Sequence, residues 1–264
     1  MDPLEALVLG IVQGLTEWLP VSSSGHLVIA QELLGMDADE NLLFDLVVHL
    51  GTIVAVVAYF RKELWRVIVG MTTPKARRGE QENALRKLGF LLLLGTVPAG
   101  IAGILLTDYI ESIFDIKLVG IALMANAVLL FAAERFGNRG AKKTASTRDA
   151  VVIGTFQAVS IMPGISRSGS TLSGGMFMGL EREAAAVFAF LLSVPILLAA
   201  FAYGLVTLDT FDLDIVTSVI GAAAAFATGI VSIGYLLKAV RAGKLWIFSG
   251  YCMVVGAAVL LLSL

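Results

Sequence analysis

The sequence predicts an all-α integral membrane protein built as an inverted-topology repeat. Each half is a re-entrant helical hairpin followed by three transmembrane helices. Three observations lead there. Of 264 residues, 58% are hydrophobic and 15% charged, with a mean hydropathy of +0.88, too apolar for a soluble domain. Six apolar runs have the ~16–23 residues that a bilayer crossing takes, while four others are too short. Two Pro/Gly/Ser-rich breaks carrying ionisable groups, over 15–26 and 162–171, interrupt the apolar sequence at an offset of 144 (Gly25 to Gly169). Lipid tolerates broken backbone and charge only where protein or water surrounds them, and paired breaks in two halves mark a polar site near the midplane.

Residues 1–140 form the first repeat. Runs 4–16 and 27–34 are too short to span at about 1.5 Å per residue, so they are the arms of a re-entrant hairpin over 3–34. Spans follow at 42–60, 88–106 and 118–135, the last carried past Glu134 by a snorkelling Arg135. Residues 145–264 repeat the plan: arms 150–161 and 171–180 in a hairpin over 149–180, then spans 184–205, 215–237 and 245–264. Short identities accompany the repeat. Gly10-x-x-Gln13 matches Gly154-x-x-Gln157, Ser24-Gly25 matches Ser168-Gly169, and Ala58-Tyr59 matches Ala202-Tyr203.

Loop charge sets the orientation. Arg61, Lys62, Arg66, Lys75, Arg77, Arg78, Arg86 and Lys87 follow the first span. Arg135, Arg139, Lys142, Lys143 and Arg148 follow the third, and Lys238, Arg241 and Lys244 the fifth. The opposite loops hold Asp108, Glu111, Asp115, Asp209, Asp212 and Asp214, with Lys117 the one basic residue. Both termini are therefore expected outside the cell membrane, with the first hairpin entering from outside and the second from the cytoplasm. The start, Met1-Asp2-Pro3-Leu4-Glu5, has no basic n-region, so a cleaved signal peptide is not expected. A net charge of −2 provides no basic field for nucleic acid. The single Cys252 rules out an intrachain disulfide and a cysteine-based metal site.

The chemistry sits in the two breaks. Glu17 follows a helical arm with Gln13 four residues earlier on the same face, a pair able to hold a hard divalent cation or order a hydroxyl. A capped carboxyl bracing the turn is the plainer reading. His26 suits general acid–base work or, more rarely, nucleophilic attack, and equally a hydrogen-bonded strut. Ser22, Ser23 and Ser24 with Gly25 open a short helix, where hydroxyls and free N–H groups suit an oxyanion or simply cap the helix. Ser22 or Ser23 is a candidate nucleophile. In the second break Ser166, Arg167, Ser168, Gly169, Ser170 and Thr171 open another helix. The Arg167 fork suits phosphate oxygens, or pairs with Glu17. Together the groups fit phosphoryl transfer to water. Asp45 and His49, one turn apart in the first span, are expected to pair with each other.

At these residues the sequence resembles the BacA-type undecaprenyl-diphosphatase family. That family carries (E/Q)-x-x-x-E, S-(S/T)-(S/T)-G-H and P-G-x-S-R-S-x-x-T motifs. They stand here as Gln13-Gly14-Leu15-Thr16-Glu17, Ser22-Ser23-Ser24-Gly25-His26 and Pro163-Gly164-Ile165-Ser166-Arg167-Ser168-Gly169-Ser170-Thr171. The resemblance implies a homodimeric membrane phosphatase acting on a polyprenyl diphosphate at the outer side, dependent on a divalent cation (Mg2+ or Ca2+), among membrane lipids and without nucleic acid. It implies Glu17 as catalytic or metal-handling carboxylate with Gln13 beside it. Arg167 becomes the diphosphate grip, and His26 and Ser23 the attacking or proton-transfer groups. Ser22, Ser24, Gly25, Ser166, Ser168, Gly169 and Thr171 are the substrate-binding candidates. Gln13 occupies the family's variable Glu/Gln position, leaving one protein carboxylate for a metal. The alternative class is a polyprenyl-phosphate flippase using the same midplane site, since transporters share inverted repeats and broken helices.

Overall fold

The computed structural model describes residues 1–36, 42–112, 115–137, 142–207 and 214–263. Arg139, Asp209 and Asp212, used above for orientation, lie outside the described residues, as do the side chains of Asp108 and Glu111. The described residues form eleven α-helices: α1 Pro3–Trp18, α2 Ser23–Leu33, α3 Leu42–Tyr59, α4 Arg61–Thr72, α5 Glu80–Ser112, α6 Ile116–Phe136, α7 Thr147–Val159, α8 Arg167–Phe177, α9 Arg182–Thr207, α10 Ile215–Arg241 and α11 Leu245–Leu262. Among them the one strand-like pairing is an isolated bridge between Lys142 and Leu180.

Six helices, α3, α5, α6, α9, α10 and α11, are long and apolar enough to cross a membrane. The pairs α1–α2 and α7–α8 are the short broken hairpins. Their outer ends are capped in the same way. Asp2 accepts from the Leu4 and Glu5 N–H groups while Glu5 accepts from the Asp2 N–H, with Pro3 opening the helix. Ser146 and Asp149 form the equivalent reciprocal box at α7.

Small residues let the helices touch through backbone. On α1 and α10, Gly10 meets Gly221, Gly14 meets Ala225 and Trp18 meets Gly229, so these two helices run in the same direction. Gly51 and Ala55 of α3 lie on Ala222 and Gly229 of α10. Gly154 of α7 lies on Gly95 of α5, and Thr147, at the head of α7, shares a cleft with Asn83 and Lys87 near the head of α5. A Cβ at Gly120 of α6 would fall 3.0 Å from the Gly256 carbonyl oxygen. One at Gly256 of α11 would fall 2.7 Å from the Gly120 carbonyl oxygen. In the interior Trp18 meets Phe190 edge to face and Phe190 meets Phe60 at a tilt, at centroid distances of 5.7 and 5.5 Å.

Two departures from the sequence reading have clear causes. Residues 61–72 form helix α4, whose Val67 and Gly70 pack on α5 while Trp65 and Ile68 stay exposed. It is an amphipathic helix that orientation-setting charge alone does not reveal. α5 begins at Glu80, eight residues before the apolar run, because α4 supports its polar first turns.

Leucine at Gly256 should separate α6 from α11 and destabilise the protein by about 1–3 kcal/mol. Leucine at Gly250, where a Cβ meets no atom within 4 Å, should be close to neutral. Thermal midpoints in detergent compare the two.

Candidate active site

The site forms where the tips of the two hairpins meet. Leu19-Pro20 ends α1, and Ser22 turns the chain with φ 70°, the one positive non-glycine φ among the described residues. Its hydroxyl accepts from the Gly25 N–H (3.4 Å), capping α2, and from the Gly164 N–H of the other tip (3.1 Å). Gly164 has φ +99°, and a Cβ there would lie 2.7 Å from the Val119 carbonyl oxygen, so glycine is required. Asn126 of α6 joins both tips. Its Nδ2 donates to the Pro20 carbonyl (2.9 Å) and its Oδ1 accepts from the Ser166 N–H (3.2 Å). The Ser168 hydroxyl donates to the Leu19 carbonyl at 3.1 Å. Position is thus fixed before any charge is considered.

Glu17, 5% exposed, is the hub. Its Oε1 pairs with the Arg167 guanidinium, contributed by the head of α8. Its Oε2 accepts from the Ser23 hydroxyl at 2.5 Å and from Gln13 Nε2 at 3.0 Å. His49 Nε2 lies 3.9 Å from the same oxygen. The Arg167 guanidinium also faces Trp18, 5.8 Å from the ring centroid, and its Nη1 is buried with no partner among the described residues. One edge of the fork therefore holds Glu17 while the other is free to donate. A cavity of about 280 Å³ opens here. Glu17, Ser22, Ser23, Ser24, Ser166 and Arg167, all expected from sequence, line it. Helices α2 and α8 both begin at its wall, so two positive helix ends converge on one space. The arrangement can receive a polyanion and polarise a hydroxyl.

The other candidates sit behind this wall. Gln13 is fully buried against Glu17. Gly25, Ser168 and Gly169 pack the tips together, with the Ser166 hydroxyl accepting from the Gly169 N–H at 3.1 Å. Thr171 donates to the Arg167 carbonyl at 2.9 Å. His26 is turned toward α11. Its Nδ1–H donates to the Ser22 carbonyl at 2.7 Å, which leaves Nε2 to accept from the Tyr251 hydroxyl at 2.8 Å, and the two rings stack at 5.5 Å.

Four polar residues reach the cavity that the sequence reading set aside or did not name as site residues: His49, Thr107, Gln157 and Ser160. His49 does not pair with the Asp45 carboxylate. Its Nδ1 donates to the Asp45 backbone carbonyl at 2.7 Å, while Gln31 occupies the carboxylate at 3.1 and 3.2 Å. That fixes the tautomer and leaves Nε2 facing Glu17. Asn126 and Tyr251 had one sequence signal, a polar group inside an apolar span, which needs a buried partner.

His49 also lines a second, adjoining cavity of about 730 Å³ between α3, α5 and α9. Its walls are largely glycine, alanine, leucine and isoleucine, with Tyr203 and Thr207 toward its end. Pro98 and Pro195 lie inside α5 and α9, each directly before a residue shared by the two cavities, Ala99 and Ile196. A proline cannot donate to the preceding turn, which loosens helix packing at these levels.

Among the described residues no three His, Cys, Asp or Glu side chains gather as a metal cluster. The oxygen donors that fit a hard cation are Glu17 and the buried, unpartnered Oε1 of Gln13.

Fold and site define a multi-pass membrane protein whose broken helices hold a cavity lined by a carboxylate, a guanidinium and hydroxyls beside a larger, mainly aliphatic one. The family model described as bacitracin resistance protein BacA matches residues 6–258, and the chain belongs to that family. The chain is 39% identical over 270 residues to an undecaprenyl-diphosphatase of Idiomarina loihiensis, covering 99% of each chain. It is 38% identical over 266 residues to one of Korarchaeum cryptofilum (98% of this chain, 99% of the relative). To one of Alkaliphilus metalliredigens it is 38% identical over 277 residues, covering 100% of both.

Replacing Asn126 by leucine strands the Ser166 N–H, at about 1–3 kcal/mol, and leaves the Pro20 carbonyl only the weak Cys252 thiol donor. The Asn126→Leu protein should show a lower thermal midpoint together with weakened activity, because both tips lose their common anchor.

Proposed function

We infer that this chain is an undecaprenyl-diphosphatase: it hydrolyses undecaprenyl diphosphate to undecaprenyl phosphate and inorganic phosphate, recycling the lipid carrier of cell-wall synthesis and so conferring bacitracin resistance. Full-length similarity to relatives of that name supports this. The observation that carries it to chemistry is the convergence of Glu17, Ser23 and Arg167 on one cavity from tips 150 residues apart.

In the reading we propose, the terminal phosphoryl enters between the heads of α2 and α8, where the free edge of Arg167 and the helix N–H groups neutralise its oxygens. Ser23 Oγ attacks phosphorus as Glu17 Oε2 takes its proton, and the bridging oxygen leaves with undecaprenyl phosphate. Glu17 gives that proton to the leaving bridging oxygen; water then attacks the phosphoserine, passing a proton to the regenerated Glu17 carboxylate, which returns it to Ser23 Oγ as inorganic phosphate departs. His49 Nε2, open to the cavity, is placed to exchange protons with Glu17, and His26 to hold the Ser22 turn through its carbonyl. Glu17 and Gln13 would hold the divalent cation, Mg2+ or Ca2+, that the resemblance implies, and when bound it supplies further neutralisation of the diphosphate. The apolar cavity suits the prenyl chain.

The finer architecture belongs to the same proposal. An inverted repeat with halves 1–140 and 145–264 is supported by α1 running with α3 and α10, while α7 runs with α5, which lies head to tail against α3. The apolar cavity lies between the head of α3 and the ends of α5 and α9, the two helix ends after which the acidic segments follow in the sequence. This supports entry from the outer side and termini outside the cell. A homodimer follows from the resemblance alone.

Glu17→Gln and Arg167→Ala should each lower kcat/KM at least about 100-fold, read as phosphate release from undecaprenyl diphosphate in detergent. A flippase would release none there, and undiminished release by either variant would refute the assignment. Chelation should abolish wild-type release, and Gln13→Ala should raise the Mg2+ concentration for half-maximal rate about tenfold.

A further inference from the structure

Gln157 is the unexplained polar group of the site. It lies on the last turn of α7, is 2% exposed, and lines the polar cavity. Neither its Oε1 nor its Nε2 has a partner among the described residues. Only its backbone is engaged, the carbonyl accepting from the Ser160 hydroxyl at 2.7 Å. Its repeat mate behaves differently. Gln13 spends its Nε2 on Glu17, four residues on, whereas the residue four after Gln157 is Ile161. The second copy has thus kept the amide without the carboxylate. The α7 backbone cannot retreat, because Gly154 lies directly on Gly95. A buried amide with both ends free is unfavourable, and such groups mark a place for a ligand or water.

We propose that the Gln157 amide binds the terminal phosphoryl of the diphosphate, the group released as inorganic phosphate; this rests on the phosphatase reading above. Gln157 lines the polar cavity but not the apolar one, so it belongs to the end of the substrate farthest from the prenyl chain. Its Nε2 donates to a phosphoryl oxygen, and its Oε1 accepts from a protonated one, a pair of contacts a hydrocarbon cannot use. Being neutral, it adds recognition beyond Arg167 without a second permanent cation that would retain the product. Gln157 is therefore a substrate-binding residue that recognises the phosphoryl group to be released.

The test uses full-length protein in detergent, with Gln157→Leu, Gln157→Met and Gln157→Glu. Readouts are kcat and KM for undecaprenyl diphosphate, the inhibition constant of inorganic phosphate, and the thermal midpoint. The expected result for Leu and Met is a KM raised about tenfold, phosphate inhibition weakened by a similar factor, kcat within about threefold, and a midpoint equal to or above wild type. Glu, bringing like charge against the phosphoryl, should raise KM further. Unchanged KM and phosphate inhibition overturn the proposal, as does a KM rise that comes only with a lowered midpoint in all three variants. Absence of phosphate release by the wild type would instead overturn the phosphatase reading itself.

Discussion

The buried pair between Glu17 and Arg167 is the constraint around which the rest of the molecule is arranged. Taking two charges out of water is unfavourable, and their attraction compensates only when geometry is good and the remaining valences are filled. Ser23 and Gln13 fill the Glu17 side. The tips are held first by neutral contacts, through Asn126, Ser22 and Ser168, so the ions do not have to organise the backbone themselves. A hydrocarbon pair would pack as well at lower risk. Keeping charge here is sensible only where a charged ligand must be met, and the free Arg167 edge is what remains to meet it.

The two adjoining cavities divide the labour by polarity. One carries serine hydroxyls, the Glu17 carboxylate and the Arg167 guanidinium among aliphatic residues; the other is walled mainly by small and aliphatic residues, with Asp45 and Tyr203 among them. In the proposed reading an amphiphile is sorted by solvation, headgroup inward and chain along α3, α5 and α9. His49 stands at the boundary and belongs to both.

Much of this was legible from residue order. Spans follow from run length, and the breaks at Pro20 and Pro163 with their serines located both tips, since polar interruptions have few tolerable homes in lipid. Glu17, Ser22 to Ser24, Ser166 and Arg167 reach the cavity as their local motifs imply. What stayed hidden depends on contacts remote in sequence. Asn126 meets Pro20 across 106 residues and His26 meets Tyr251 across 225. The turn of His26 away from the cavity is decided by Tyr251, whereas His49 turns toward it because Gln31 occupies the Asp45 carboxylate and His49 bonds the Asp45 backbone carbonyl instead. Helix α4 was hidden for another reason, since its charges dominate a pattern whose apolar stripe is short.

The ion pair also dictates an order of assembly. Glu17 leaves the ribosome 150 residues ahead of Arg167, so the nascent first hairpin has no counter-ion while α3, α5 and α6 are being inserted. A carboxylate in that position stays in contact with water until compensation arrives. A chain truncated before Arg167 therefore lacks the group that closes the cavity over Glu17.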